Sequence, residues 1–148
     1  RMAAQNRKAR YEYFIEENFE AGLVLTGSEV KSLRDGKASL VDAWAGPRLG
    51  EIWLNNTYIA EYPNAKLEQH EPKRPRKLLL HKREMNKLMA AVQRDGATLV
   101  PLSIYFNDRG IAKVDLGLAR GKRKADKRET EKQRDWNRQK QRLLRDRG

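Results

Sequence analysis

The segregation of charged and apolar residues along the chain is the feature that most constrains its fold. Residues 120–148 hold 13 Lys and Arg against 5 Asp and Glu, and their large apolar side chains are confined to Trp136, Leu143 and Leu144. A segment of this composition cannot bury enough apolar surface to build a core of its own. We therefore expect one folded domain over residues 1–119, followed by a basic tail over residues 120–148.

The net charge predicts a polyanionic partner. The whole chain carries a formal charge of +12, of which residues 120–148 supply +8 and residues 1–119 only +4. Nucleic acid and an anionic membrane both fit such an excess, but the apolar runs are too short for a membrane span. Cysteine is absent, so disulfides and thiolate metal sites are excluded. We expect a cytoplasmic protein that binds nucleic acid and no membrane.

Strand signals dominate the expected domain. Apolar and polar residues alternate over residues 112–118, which predicts a half-buried strand. We expect it to pair with residues 99–106 through a turn at 107–110, with Pro101 at an edge or a bulge because proline cannot donate a ladder hydrogen bond. Residues 52–60 predict two further short strands joined by a tight connection. These segments together indicate a small antiparallel barrel or sandwich.

Two helices are expected among the strands. Thr26 and Glu29 have the spacing of a capping box, so the first helix begins near Thr26 and ends near residues 35–36. The second helix has one apolar stripe at positions i, i+3, i+4 and i+7, with a stop signal at residues 95–96. The stripe consists of Met85, Leu88, Met89 and Val92.

The sequence offers no recognisable catalytic or metal-binding constellation. His70 and His81 are the only histidines, and neither has a neighbour at ligand spacing. His81 follows an apolar triplet at a predicted strand-to-helix junction, where we expect a structural role. Residues 121–123 lack the upstream glycine and the Ser or Thr of a phosphate-binding loop. We therefore expect a binding protein rather than an enzyme, with no catalytic residues, metal or cofactor.

RNA is favoured over DNA as the partner. The sequence contains no helix-turn-helix, zinc-finger or basic-zipper pattern, whereas small β-barrels commonly bind single strands and loops of RNA. Exposed bases would stack on the barrel while Lys and Arg neutralise phosphates, although each cation could equally be a solvated surface charge. The candidate phosphate contacts are Lys31, Arg34, Arg74, Arg76, Lys77, Lys113, Arg120, Lys122, Arg123 and Lys124.

Charge spacing predicts a helix in the tail. Three pairs of opposite charge stand at i, i+3 between residues 129 and 138, which favours a helix. Trp136, Leu143 and Leu144 then form a stripe that is too narrow to hold a lone helix against the domain. We expect this segment to be disordered when free and helical only on a partner.

Four ordered segments of the chain resemble one known family. They are NRKARYEYFIEENFEAGL from Asn6, GSEVKSLRDGKASL from Gly27, RKLLLHKRE from Arg76 and GLARGKRKADKR from Gly117, the last followed by a basic segment that contains a tryptophan. From Asn6 onward the chain resembles the SmpB proteins, which bind SsrA RNA, or tmRNA, in bacterial trans-translation. Several motifs of this length in the same order are far more specific than a single short pattern.

The resemblance implies both a fold and a function. The fold would be mainly β, an OB-fold-like antiparallel β-barrel with flanking α-helices and a basic C-terminal tail that is disordered or helical. Such a protein would bind the tRNA-like domain of tmRNA and deliver it to stalled ribosomes, with the tail in the empty mRNA channel beside the decoding site. Elongation factor Tu carrying aminoacylated tmRNA would be a further partner, and the protein would act as a monomer.

The resemblance also assigns residues to an RNA-binding face. Asn6, Glu20, Leu79 and Lys113 match positions on the tmRNA-binding face of the family. Glu20 could accept hydrogen bonds from the N1 and N2 donors of a guanine edge, although an ordinary exposed strand residue would look the same. Leu79 would provide an apolar platform for a base, whereas its apolar triplet by itself favours a core position.

Residues of the tail are assigned to the ribosome by the same resemblance. The matching residues are Asp126, Lys127, Arg128, Trp136, Leu143 and Leu144. Many relatives have a histidine where this chain has Ala125, so no stacking or proton-transfer role is expected at that position. An rRNA-binding ribosomal or assembly protein remains the alternative function.

Overall fold

The computed structural model describes residues 1–63, 69–120 and 136–142. Its strands are β1 (Met2–Gln5), β2 (Ile15–Leu23), β3 (Ala38–Ser39), β4 (Trp44–Arg48), β5 (Glu51–Asn55), β6 (Tyr58–Ile59), β7 (Arg76–Leu79), β8 (Thr98–Phe106) and β9 (Ala112–Ala119). Its helices are α1 (Arg7–Glu12), α2 (Gly27–Arg34), α3 (Lys82–Asp95) and α4 (136–142). The expected contact residues that lie outside these ranges are Lys122, Arg123, Lys124, Asp126, Lys127, Arg128, Leu143 and Leu144, together with Ala125.

Six strands close into an antiparallel barrel. Their order is β8-β4-β5-β7-β2-β9, and β9 pairs back with β8. β1 extends the sheet from β8 outside this ring, and β3 and β6 form a separate two-stranded sheet. Closure protects the edges of the member strands. The expected mainly β, OB-fold-like barrel with flanking helices is confirmed.

The hairpin of β8 and β9 forms as the alternation predicts. Phe106 pairs with Ala112 next to the turn, and the apolar face of β9, including Val114, is buried in the barrel. The register shifts between Pro101 and Ser103, which confirms the expected bulge. Because β9 also pairs with β2, this hairpin closes the ring.

The two strands predicted within residues 52–60 are present as β5 and β6, but they do not pair with each other. β5 lies between β4 and β7 in the barrel, whereas β6 pairs with β3. Asn56, between them, has a φ of 57°, in the left-handed region that asparagine tolerates better than most residues. The tight connection therefore directs the chain from the barrel to the small sheet.

Both predicted helices form with the expected ends. In α2 the backbone N–H of Thr26 donates to Glu29 Oε1 at 2.9 Å, as a capping box requires. α3 ends at Gly96, whose φ of 64° is left-handed. Leu88 of its apolar stripe is fully buried, and the other stripe residues pack against the core. α3 therefore covers one part of the barrel.

Two further helices lie in the described ranges. α1 has only six residues, of which Ala9 is the buried one. A single small apolar residue gives no helical periodicity, so the sequence did not predict this helix. α4 is helical with Trp136 58% exposed, in the part of the chain where charge pairs at i, i+3 favour a helix; ordering of this segment only on a partner stays a prediction. None of the helices in the described ranges is long and apolar enough to cross a membrane.

A buried ion cluster joins α2 to β7. Glu29 Oε2 lies 2.5 Å from Arg76 Nε, and Glu29 Oε1 lies 2.5 Å from Arg74 Nη2. Arg76 Nη1 also donates to the carbonyl oxygen of Thr57 at 2.6 Å. Burial would raise the pKa of Glu29, but hydrogen bonds from Arg74 and the Thr26 backbone, with the second guanidinium charge, hold that pKa below its ordinary value. The cluster is therefore fully ionised at neutral pH.

This cluster corrects one predicted phosphate contact. Arg76 has 0% exposure, and its guanidinium is satisfied by Glu29 and by backbone carbonyls. A side chain in this position cannot reach RNA. The prediction that Arg76 binds phosphate is therefore wrong, because the buried carboxylate of Glu29 forms an ion pair with the Arg76 guanidinium inside the domain.

Both histidines of the chain have structural partners. Buried His70 has Nδ1 2.8 Å from Ser28 Oγ and Nε2 2.9 Å from the carbonyl oxygen of Ile59. Because a carbonyl only accepts, Nε2 carries the proton and Nδ1 accepts from Ser28. His81 is the N-cap of α3, and its backbone N–H donates to Glu84 Oε1 at 3.3 Å. The structural role expected for His81 at this junction is confirmed.

Candidate RNA-binding surface

Three of the four residues assigned by resemblance line one groove on the outside of the barrel. Gly22 of β2 pairs with Leu79 of β7 on one side and with Lys113 of β9 on the other. Residues that are directly opposite on paired strands share a face, and Glu20, two positions from Gly22, lies on the same face of β2. Glu20, Leu79 and Lys113 therefore meet around Gly22 in a groove of about 360 Å³, which we call the β2 groove.

The floor of the β2 groove is bare backbone. A Cβ atom added to Gly22 would lie 3.2 Å from Leu79 Cβ and 3.6 Å from Leu79 Cδ1. Glycine in a strand marks a place where another group approaches the backbone closely. The missing side chain therefore lets Leu79 pack directly on the backbone of Gly22 at the base of the groove.

Apolar side chains form walls of the β2 groove. Leu79 is 51% exposed and Ile111 is 49% exposed, and both line the groove. Leu78, the preceding residue of β7, is fully buried instead. The core position that the apolar triplet favours for Leu79 is therefore wrong, because the alternation of β7 turns Leu78 inward and Leu79 outward. Exposed apolar walls of this kind suit the face of a nucleobase.

Two neighbouring carboxylates, each with its own hydrogen-bond donor, lie at the border of the β2 groove. Glu20 is directly opposite Asp115 on β9, and like charges in this arrangement repel. The hydroxyl of Tyr105 donates to Glu20 Oε2, while Asn18 Nδ2 donates to Asp115 Oδ1 at 2.9 Å. Burial raises the pKa of Tyr105, and its bond to Glu20 raises that pKa further. Tyr105 therefore stays protonated at neutral pH and donates its hydroxyl hydrogen to Glu20.

Asn6 lies beside a second groove rather than in the first. Its Nδ2 donates to the carbonyl oxygen of Pro101 at 3.1 Å, and its backbone N–H donates to that of Leu102 at 2.8 Å. This groove, the α1 groove, has a volume of about 560 Å³ and is lined by Asn6, Arg10, Tyr11, Asp115 and neighbouring residues. Since Asp115 is opposite Glu20, the two grooves adjoin across the carboxylate pair.

Among residues 1–63 and 69–120, the other predicted cations do not line the β2 groove. Lys77 lies on the same side of β7 as Leu79 and forms an ion pair with Glu51 at 3.4 Å. Further ion pairs occupy two of the others: Arg74 contacts Glu29 at 2.5 Å, and Arg120 contacts Glu16 at 3.2 Å. On α2, Lys31 Nζ lies 5.4 Å from the centre of the Tyr62 ring, and Arg34 is exposed. These five described cations therefore have separate partners or lie exposed, outside the residues that line the β2 groove.

Sequence reasoning missed several residues of this surface, among them Tyr105 and Ile111. Tyr105 follows from the hairpin register, because it is opposite Lys113 and so shares its outward face. Ile111 ends the turn before β9 and has no periodic signal of its own. Both residues become recognisable only when the pairing of β2, β8 and β9 is known.

Comparisons with known proteins agree on one family. The family model described as SmpB protein matches residues 3–146. An SsrA-binding protein of Paramagnetospirillum magneticum is 61% identical over 147 residues, which cover 99% of this chain and 96% of that protein. An SsrA-binding protein of Rhodopseudomonas palustris strain HaA2 is 60% identical over 148 residues, covering 100% of this chain and 94% of that protein.

A solved structure gives the same result. It is described as "tmRNA-SmpB: a journey to the center of the bacterial ribosome", and its matching chain is 53% identical with a TM-score of 0.64. The match covers 79% of this chain and 82% of that chain. With a family model that spans nearly the whole sequence, these likenesses establish that the chain belongs to the SmpB protein family.

Proposed function

We propose that this protein binds the tRNA-like domain of tmRNA and delivers it to stalled ribosomes for trans-translation. The similar proteins are named SsrA-binding proteins, and the similar structure is described by tmRNA, SmpB and the bacterial ribosome. The observation that carries the proposal is the meeting of Glu20, Leu79 and Lys113 in the β2 groove. An apolar wall, a cation and an acceptor are the three kinds of contact that a single unpaired nucleotide requires.

Each residue has a distinct task in this proposal. Leu79, with Ile111 beside it, packs against the face of a base that has left its stack. Lys113 neutralises an adjacent phosphate. Glu20 repels phosphate but accepts hydrogen bonds from the N1 and N2 donors of a guanine edge. A carboxylate in the groove therefore favours a particular base over general attraction to any RNA backbone.

The chain divides this work between two regions. Residues 1–119 hold tmRNA, and residues 120–148 enter the empty mRNA channel, where their charge of +8 offsets rRNA phosphates. The exposure of Trp136 on α4 supports this division, since a tryptophan with 58% of its surface free is available to stack on a partner. The protein acts in the cytoplasm as a monomer with elongation factor Tu on aminoacylated tmRNA, and no catalytic step is assigned to it.

A competition assay tests RNA selectivity. Labelled tRNA-like domain of tmRNA is bound at fixed, near-physiological salt and challenged with excess bulk tRNA and with an rRNA fragment. We expect the complex to survive both competitors. Displacement by bulk tRNA or by rRNA would show a general RNA binder and would favour the ribosomal alternative.

Salt dependence tests the task of Lys113. Each neutralised phosphate contributes roughly 0.7–0.9 to the slope of log affinity against log salt, so Lys113→Ala is expected to reduce the slope by about that amount. Lys87→Ala is the matched control, because Lys87 lies on α3 and pairs with Glu17 at 2.6 Å. Equal slopes for the two variants would remove Lys113 from the interface.

Truncation after Gly121 tests the division of work. The shortened chain is expected to keep most of its affinity for tmRNA and to lose tagging of proteins on stalled ribosomes. Binding to tmRNA and tagging are measured on the same preparation. Loss of both functions to the same extent would contradict the division.

A further inference from the structure

Glu20 accepts a hydrogen bond from Tyr105, a residue two strands away that has no assigned role. Tyr105 is on β8 and Glu20 is on β2, with β9 between them. Neighbouring strands lie about 4.8 Å apart, so the hydrogen bond spans a distance of roughly two strand spacings over the top of β9. Only a long aromatic side chain and a long carboxylate side chain can meet in this way.

The Tyr105–Glu20 hydrogen bond crosses β9 between Lys113 and Asp115, two residues of opposite charge. Tyr105 is directly opposite Lys113, and Glu20 is directly opposite Asp115, two positions along β9. Asp115 has its own partners, since Asn18 Nδ2 donates to Oδ1 at 2.9 Å and Arg10 Nη2 forms an ion pair with Oδ2 at 4.0 Å. These contacts draw Asp115 towards the α1 groove, so Glu20 is the carboxylate that remains directed to the β2 groove.

The bond leaves Glu20 with capacity to accept more donors. Tyr105 binds Oε2, and it is the one donor to Glu20 within residues 1–63, 69–120 and 136–142. An ionised carboxylate has about four acceptor positions, so Oε1 and part of Oε2 stay available. A glutamate without this tether would rotate among several conformers, and RNA would have to select the productive one.

We propose that Tyr105 is a positioning residue of the RNA-binding surface, whose hydroxyl fixes the Glu20 carboxylate so that its free acceptor positions face a guanine edge in the β2 groove. The inference rests on the proposed RNA-binding function of that groove. It adds a specificity determinant on β8, a strand that lies next to the groove and supplies none of its lining residues within the described ranges. Tyr105 acts through Glu20 and needs no contact with RNA.

Four full-length proteins test the inference: wild type, Tyr105→Phe, Glu20→Gln and the double variant. Tyr105→Phe keeps the ring and removes only the hydroxyl, so its melting temperature is expected to match that of wild type. We expect it to weaken binding to the tRNA-like domain about three- to tenfold, as loss of one hydrogen bond predicts. In the Glu20→Gln background the same change should alter affinity less than twofold.

Comparing the effect of Tyr105→Phe in the wild-type and Glu20→Gln backgrounds separates a positioning role from a general structural effect. A change that merely loosened the barrel would weaken binding in both backgrounds, and this outcome would overturn the inference. Tyr58→Phe is the matched control, since Tyr58 is an exposed tyrosine of the small sheet, and it should leave affinity unchanged. In the competition assay, Tyr105→Phe should lower the preference for tmRNA over bulk tRNA.

The two proposals fail in different ways. If Glu20→Gln weakens binding and Tyr105→Phe does not, the positioning role is refuted and the RNA-binding groove stands. If neither Glu20→Gln nor Tyr105→Phe has an effect on binding, the proposed function of the β2 groove fails, and the positioning role fails with it.

Discussion

Glu29→Gln is expected to remove a large share of the free energy of unfolding of the domain. The substitution keeps the volume of the side chain but leaves Arg76, with 0% exposure, without a counter-charge. It also turns amide donors towards the guanidinium groups of Arg74 and Arg76. Breaking a buried ion pair by removing one partner costs about 3–5 kcal/mol, and native domains have only about 5–15 kcal/mol in total.

Thermal and urea unfolding followed by circular dichroism measure this loss. For a chain of this size a loss of 3–5 kcal/mol corresponds to a decrease of roughly 10–15 °C in melting temperature. Glu17→Gln is the control, because it breaks an exposed pair with Lys87 and is expected to cost about 0.2–1 kcal/mol. Equal losses in the two variants would show that the buried cluster contributes no more than a surface pair, and the reasoning would be refuted.

Three further outcomes follow from local features of the fold. The difference in free energy of unfolding between wild type and Glu29→Gln should be complete at neutral pH and shrink below about pH 4. The reason is that the Glu29 carboxylate takes up a proton in the unfolded chain at a higher pH than in the folded one, where its pKa is lowered. A constant difference in unfolding experiments from pH 7 to 3 would contradict this. Gly22→Val should displace the Leu79 side chain, whose Cβ would lie 3.2 Å from the added Cβ, and weaken tmRNA binding about tenfold, within the range for a lost base contact, at unchanged salt slope; unchanged affinity in the binding assay would exclude the β2 groove. Gly96→Ala should destabilise the domain by about 1 kcal/mol in urea unfolding because its φ is 64°, whereas Gly27→Ala in open space at the start of α2 should not; equal midpoints would argue against the left-handed helix end.

Local patterns in the sequence predicted the elements that depend on local interactions. The β8–β9 hairpin follows from a two-residue alternation and a turn, and the ends of α2 and α3 follow from Thr26, Glu29 and Gly96. The bulge at Pro101 follows from the missing N–H of proline. Each of these features is determined within a few residues of where it appears.

Features that depend on distant pairings could not be predicted in the same way. Arg76 lies in a basic, proline-containing stretch that looks like a phosphate-binding loop, and only the approach of Glu29, 47 residues earlier, shows that its charge is buried. Leu79 belongs to a uniformly apolar triplet, so its outward direction depends on the register of β7 with β2. Tyr105 joins the RNA-binding surface only through a bond to Glu20, 85 residues away.

Because β1 is attached outside the closed ring, the α1 groove and the β2 groove should differ in the free energy of local opening. β1 pairs with β8 outside the closed ring, and Asn6 and α1 follow directly from it. Detaching β1 breaks no contact between members of the ring, so its amide hydrogens should exchange with solvent through a local opening of lower free energy than global unfolding. The β2 groove is built entirely on ring strands and on the turns at their ends. Hydrogen exchange should therefore find that the α1 groove loosens well before the β2 groove does.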